Sequence, residues 1–317
     1  MKKSIFTVLP LFLLTSCGGT PASSESPIYN WGDYQIAAPS GAPAIAFYDH
    51  LADKNVEISN AQTVQGYFNE AGTKDFIVLP TNAGVKMIQN LNAPFKLAAT
   101  LTFGNYYMAS TGNDADSALG SEDYVVVFQQ NQIPDLLFKY IYGEGLNVHY
   151  VTDVTAAQRC LISGVDESNS NAKVDYVLMA QPALAGALKQ NTNAAIYSDI
   201  QKLYNEKSGG KEIRQASIFV KNNVDTGAAN YVLNEIKTDM DALLSNPDCL
   251  LDSVKASGLE DEIIQQKITN PNMVISLLKS DNKIGIGFKW AYENKASVDA
   301  FLETLGQNVT TDEIYFK

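Results

Sequence analysis

Two strand–turn–helix units recur in this chain in the same order, and that repeat restricts the possible folds more than any other feature. The first unit spans residues 34–48. A short, mostly apolar run of strand length is broken by Pro39, Ser40 and Gly41, and Pro43 follows where a first helical turn tolerates a missing N–H. Residues 124–140 repeat it: the strand run Tyr-Val-Val-Val-Phe, a polar Gln129-Gln130-Asn131-Gln132 turn, and a helix opened by Pro134. Aligning Pro43 with Pro134 places Ser40 over Asn131 and Phe47 over Phe138. The second unit returns at an offset of one hundred residues, Asp75-Phe-Ile-Val-Leu79 over Asp175-Tyr-Val-Leu-Met179, each passing into a helix start. One such match arises easily by chance, but two in order predict two lobes of similar topology. The fold class is α/β, each lobe a mainly parallel sheet flanked by helices. In such sheets ligands bind outside the carboxyl ends of the strands, so the turns after these strands form the candidate site, in a cleft between the lobes.

The remaining elements fit that frame. Residues 55–59 and 95–102 read as strands and residues 83–91 as a helix; residues 101–108 lead into the second lobe and residues 215–221 lead back, a pair of crossings able to act as a hinge. From residue 224 onward the chain reads as helices, with Asn246-Pro247 and Asn270-Pro271 as cap pairs and Gly258 and Gly306 as helix stops. Ile284-Gly-Ile-Gly-Phe288 lacks the Lys-Ser or Lys-Thr of a phosphate loop and the third glycine of a dinucleotide fingerprint, and reads as a plain turn. Lobe one is assigned to residues 31–103 and 216–317, and lobe two to residues 104–215.

The amino terminus carries an address. Lys2 and Lys3 precede an apolar run over residues 5–14, too short to span a bilayer and suited to a secretory leader, and Leu14-Thr-Ser-Cys17 closes it. This resembles the bacterial lipoprotein box. It implies a signal peptide at residues 1–16, acylation (palmitate-type chains) at Cys17, and a protein lipid-anchored to the extracytoplasmic face of the cell membrane. Residues 17–30 have the composition of a flexible tether, with a reach of roughly 20 Å over residues 18–27. The formal charge of −12, with only Arg159 and Arg214 as arginines, disfavours nucleic acid and anionic lipid as partners. Cys160 and Cys249 lack metal-ligand spacing and read as free, buried thiols.

Ala-Pro-Ser-Gly-Ala-Pro at residues 38–43, Val-Leu-Pro-Thr-Asn-Ala-Gly at 78–84, Thr-Phe-Gly-Asn-Tyr at 102–106 and Asp-Tyr-Val-Leu-Met-Ala-Gln-Pro at 175–182 resemble the solute-binding lipoproteins of ABC importers, in the nitrate/sulfonate/thiamine-precursor subgroup. The resemblance covers residues 34–220. It implies a monomeric, two-lobed periplasmic-binding-protein type II fold that closes on a small molecule and delivers it to a permease driven by a cytoplasmic ATPase. Position by position, it nominates Ser40, Gly41, Thr81 and Asn82 from lobe one, and Phe103, Gly104 and Asn105 at the crossing. From lobe two it nominates Gln129, Gln130, Asn131, Met179 and Gln181. These side chains include no cation, which favours a neutral or heterocyclic solute, such as a vitamin precursor, over a nitrate- or sulfonate-type anion; Lys86, Lys139 and Arg159 are the cations that could still reach inward. A sensor or interaction lipoprotein working without a transporter is the other reading. Catalysis is not expected: the pyrimidine synthases that share this fold depend on a histidine and a cysteine-rich segment, and neither pattern is present. His50 and His149 read as a helix-surface and a strand histidine, no metal-ligand cluster is spaced in the sequence, and no cofactor is implied.

Overall fold

The computed structural model describes residues 27–69, 72–112, 118–281 and 283–317; the leader, Cys17 and most of the tether lie outside them. Six strands form one sheet: β1 (Ile36–Pro39), β2 (Val56–Ser59), β3 (Phe76–Pro80), β4 (Phe95–Thr102), and then β12 (Ala216–Lys221) and β13 (Ile286–Trp290). Five form the other: β5 (Tyr106–Ser110), β6 (Tyr124–Phe128), β7 (Asn147–Val151), β10 (Tyr176–Ala180) and β11 (Ala195–Asp199). A small hairpin of β8 (Val165–Asp166) and β9 (Ala172–Lys173) stands apart. The helices between them are α1 (Ala61–Asn69), α2 (Thr81–Leu91), α3 (Ile133–Tyr142), α4 (Val154–Ser163), α5 (Ala183–Gln190) and α6 (Ile200–Lys207). After β12 come α7 (Thr226–Ser245), α8 (Cys249–Ser257), α9 (Asp261–Ile268) and α10 (Pro271–Lys279), and after β13 comes α11 (Lys295–Thr304).

The sheet orders are β13-β4-β12-β3-β1-β2 and β11-β5-β10-β6-β7, so every strand of the second sheet has a counterpart in the first. In each sheet four strands run the same way; β12 and β5 run against their neighbours on both sides, and β13 against β4. Both β5 and β12 are the strands that immediately follow a crossing, so each crossing delivers an antiparallel strand into the middle of its sheet. The repeated aspartates do equivalent work. Asp75 Oδ2 accepts the backbone N–H of Gln35 at 2.8 Å and Asp175 Oδ2 accepts that of Tyr124 at 2.9 Å, each pinning the start of a neighbouring parallel strand.

Strand register corrects one alignment. Ile36 pairs with Phe76, and Val125 with Tyr176, so Ile36 corresponds to Val125 and Ser40 to Gln129, not to Asn131. The hydrogen bonds agree: the Ser40 N–H reaches Ser59 at the end of β2, and the Gln129 N–H reaches Val151 at the end of β7. The second turn holds two additional residues before its proline, with Gln129 and Asn131 both in the left-handed region at φ 56 and 61.

Side chains alternate across the first sheet, as period two requires. Ile36, Ala38, Phe76, Val78 and Ile218 face a core shared with α7, α8, α9 and α10. Ala37, Ile77, Leu79, Leu97 and Phe219 face a smaller core with α1, α2 and α11. The second sheet has its own core, capped by Phe301 of α11.

Three sequence expectations change. The first unit's helix is a run of 3-10 turns, Ala42–His50, kinked at Phe47. Six of its nine residues, Ala42, Ala44, Ile45, Ala46, Phe47 and Tyr48, are buried in the core, leaving Asp49 exposed, so packing and not a single apolar face sets its path. Asn246 ends α7 and the cap of α8 is Asp248, whereas Asn270 caps α10 as expected, accepting from the Met273 N–H at 3.2 Å. Residues 284–288 are not a free turn, since β13 forms the edge of the first sheet. Cys160 and Cys249 are both free; Cys160 is buried, Cys249 is half-buried, and burial pushes the Cys160 thiol up to about 11.

Candidate ligand site between the two sheets

The carboxyl ends of β3 and β4 and that of β10 meet at a crossing only three residues long. Phe103 donates its N–H to Gly285 O at 2.7 Å, and Asn105 is held by two bonds to Gln181: its Nδ2 donates to the Gln181 carbonyl at 2.7 Å and its own carbonyl accepts the Gln181 N–H at 2.9 Å. Gln181 Oε1 accepts from the Ala185 N–H at 3.1 Å, which leaves this buried glutamine tied to the start of α5. Gly104 lies at φ 97 and Gly285 at φ 65, and a Cβ on Gly285 would collide with the Gly104 carbonyl. Only glycines allow the two backbones to lie this close. The Gly285-Ile286-Gly287 stretch is thus a strap across the first crossing.

The return crossing runs through Glu212 to Gln215. Arg214, 1% exposed, stacks its guanidinium over the Phe103 ring at 5.1 Å and reaches Glu212 at 2.8 Å and Ser297 Oγ at 3.0 Å. Lys289 shares the same Glu212 carboxylate at 2.9 Å and lies 5.3 Å from the other cation's ring partner, Phe103. Burial pulls the Arg214 guanidinium below its ordinary value and Glu212 opposes the shift.

Of the nominated residues, Thr81 is buried, with its hydroxyl 2.7 Å from that of Ser217 and its N–H donated to Gln215 O at 3.0 Å. Met179 is fully buried in the second core. Ser40 is exposed, and Gly41, at φ 91, gives its N–H to Lys267 O at 2.9 Å. Gln129, Gln130 and Asn131 are exposed, and the Asn131 N–H is held by Asp135 Oδ2 at 2.7 Å. Phe103, Gly104, Asn105 and Gln181 lie together at the crossing, whereas Asn82 and Asn131 face a common space.

That space is a cavity of about 540 Å³ lined by Asn82, Lys86, Gln307 and Asn308 on one side and by Asn131 and Leu136 on the other. Asn82 and Lys86 are one helical turn apart on α2, and Gln89 and Asn90, also in the lining, continue that face. A second gap of about 280 Å³ is lined by Ala185 and Lys189 of α5 and by Asn270, Asn272, Met273 and Ser276 at the start of α10. Among the described residues, no carboxylate lines either space. Gln307, Asn308 and Lys189 carry no sequence motif, whereas Lys86, one of the cations that the sequence left able to reach inward, lies four residues after Asn82 and lines the larger space. Lys267, beside Gly41, is half-buried and forms no ion pair among the described residues, and burial alone lowers its amine below the ordinary lysine value. Among the described residues no cluster of three or more His, Cys, Asp or Glu could hold a metal, and no helix is long and apolar enough to cross a membrane.

No protein-family model matches the sequence, and no curated protein is similar to it. Solved structures do match the fold. An ABC transporter protein from Parabacteroides distasonis superposes with a TM-score of 0.66 at 18% identity, over 90% of this chain and 98% of that one. The periplasmic aliphatic sulphonate binding protein of Escherichia coli gives 0.56 at 13%, over 90% and 92%. A Candida albicans protein described as having the generic periplasmic binding protein fold gives 0.52 at 9%, over 89% and 92%. With two sheets of matching strand order, exchanged antiparallel strands and helices on their faces, the chain has the two-lobed periplasmic-binding-protein type II fold.

Proposed function

We propose that this chain is the solute-binding lipoprotein of an ABC importer, anchored through Cys17 to the extracytoplasmic face of the membrane. It captures a small polar solute between lobe one (residues 31–103 and 216–317) and lobe two (residues 104–215) and passes it to a permease. The observation that carries this reading is that Asn82, from α2 beside the first sheet, and Asn131, from the turn before α3 beside the second, line one cavity. Amides at opposite walls can each donate and accept, so a solute bridging them favours the closed arrangement over the open one. The two histidines are engaged elsewhere. His50 is bonded to Asp53 and Asp239, and His149 is stacked on Tyr124 and bonded to Asn147 and Asn169, which supports capture over catalysis.

Thermal-shift and calorimetric titration against vitamins, pyrimidines, flavins, nitrate and sulfonates tests the reading. At least one solute is expected to stabilise the protein, and Asn82→Leu and Asn131→Leu each to weaken that solute about tenfold, near the 1.4 kcal/mol of a lost polar contact. Unchanged affinity in both variants removes this cavity from the site. Cys17→Ala is expected to release the protein from membranes; continued association with no acyl label overturns the anchor.

A further inference from the structure

Asp135, in the first turn of α3, is a carboxylate with 0% solvent exposure. A charge buried this deeply persists only when its oxygens are occupied, and these take three donors. Oδ1 accepts from the Tyr150 hydroxyl of β7 at 2.9 Å. Oδ2 accepts from the Lys139 ammonium at 2.9 Å, one helical turn on, and from the backbone N–H of Asn131 at 2.7 Å. The last of these bonds bears on the turn that enters the larger cavity. Gln129 and Asn131 stand in the left-handed region without being glycine, a conformation kept only where the surroundings over-determine it. The Gln129 N–H is held by Val151 O and the Gln132 N–H by Gln129 O, both at 3.0 Å, and Asp135 adds the bond that holds Asn131 itself. Lobe one makes its turn differently. The residue after Pro43 is Ala44, and the positive φ falls on a glycine, Gly41 at 91. Glycine adopts that region without a steric penalty, so a left-handed asparagine backed by a buried carboxylate is the arrangement that keeps an amide side chain at this place.

We infer that Asp135 is a positioning residue of the interlobe site: held by Tyr150 and Lys139, it acts through Asn131, fixing the left-handed turn so that the amide of that residue is in place at the cavity before a solute arrives. This rests on the solute-capture reading above and deepens it. Ordering a turn during binding lowers affinity, and a turn ordered beforehand avoids that loss. Tyr150 lies on β7, the edge strand, and through its hydroxyl the turn is tied to the second sheet as well as to α3. With the N–H groups of Gln129, Asn131 and Gln132 all committed within the protein, the turn meets a solute with the Asn131 side chain and not with those backbone donors.

The full chain is titrated with vitamins, pyrimidines, flavins, nitrate and sulfonates, and the variants are compared on the member of that panel that binds tightest. Asp135→Ala is expected to weaken it about tenfold, and Asp135→Asn, which keeps an acceptor for the Asn131 N–H, about threefold. Because Asp135 acts through Asn131, the two losses do not add: Asp135→Ala in an Asn131→Leu chain is expected to weaken binding no further. Tyr150→Phe, which keeps its half-buried ring, is expected to weaken binding about threefold and to be silent in the same Asn131→Leu chain, so the test does not hang on one buried substitution. With no solute present, the Asn131 N–H is expected to exchange with deuterium about tenfold more slowly in the wild type than in Asp135→Ala. Unchanged affinity in Asp135→Ala, a loss that adds to that of Asn131→Leu, or equal exchange overturns the inference and leaves solute capture standing. Binding by no member of the panel overturns solute capture and this role with it.

Discussion

His50 shows how far a single residue's environment can depart from its sequence context. It stands under the Trp31 indole at 3.9 Å, with Nδ1 2.8 Å from Asp53 and Nε2 3.1 Å from Asp239 of α7. Burial works to lower its pKa, but the hydrogen bonds to Asp239 and Asp53 outweigh that, and the net shift is upward from 6.5. The imidazolium therefore stabilises the fold fully below about pH 6.5, and its contribution disappears as pH rises through the higher folded-state value. Melting temperature measured from pH 6 to 9 is expected to decline on the alkaline side in the wild type, with the His50-dependent part of that decline missing in His50→Gln; parallel profiles overturn the assignment. Asp53 is three positions away, but the Asp239 contact was not legible in the sequence, because that residue is 189 positions away and meets His50 only through α7 packing. Thr81 and Met179 illustrate the same limit at the site. The strand β10 that holds Met179 and the helix α2 that starts at Thr81 follow where the repeat placed them, but Thr81 directs its hydroxyl to Ser217 and Met179 its side chain into the second core, and direction is set by packing that a motif does not encode.

At the level of elements the repeat was the most legible feature, because strand-length apolar runs followed by turn residues depend on local chemistry. β4 and β6 coincide with residues 95–102 and 124–128 as read, and the Asp75/Asp175 pair proves to anchor corresponding strands. What failed was register across the first turn, where the shared proline drew Ser40 onto Asn131 and hid a two-residue extension. The 3-10 path of Ala42–His50 and the edge strand β13 were also illegible, since each is imposed by neighbours distant in sequence. The strap formed by Gly285 follows from the same long-range contact. Gly285→Val must displace the Gly104 carbonyl and adopt φ 65 with a β-branched side chain, so a loss of about 1–3 kcal/mol is expected from overpacking alone. Denaturant titration measures it, and stability within 0.5 kcal/mol of wild type, about the spread of a neutral surface change, would show that the crossing is free of the strap.

At the scale of the whole molecule, α11 decides whether the two lobes unfold separately. Its Val298 and Leu302 sit in the core of the first sheet, whereas Phe301, fully buried, caps the core of the second and packs edge-on against Tyr204 with centroids 6.0 Å apart. Tyr204 also donates to Thr304 at 3.3 Å, and Ser297 at the start of the same helix accepts from Arg214 of the return crossing. One ten-residue helix therefore touches both cores and a crossing, which couples the lobes more strongly than two short linkers would. A single cooperative melting transition is expected of the wild type by calorimetry. Phe301→Ala removes a buried ring at a cost of about 3–5 kcal/mol, and because the lost contacts belong to the second core, that core is expected to melt first and split the transition. Phe301→Leu, which keeps most of the volume, is expected to restore the single peak. A Phe301→Ala variant that still melts in one transition at the wild-type temperature would mean that the two lobes are joined by the crossings alone.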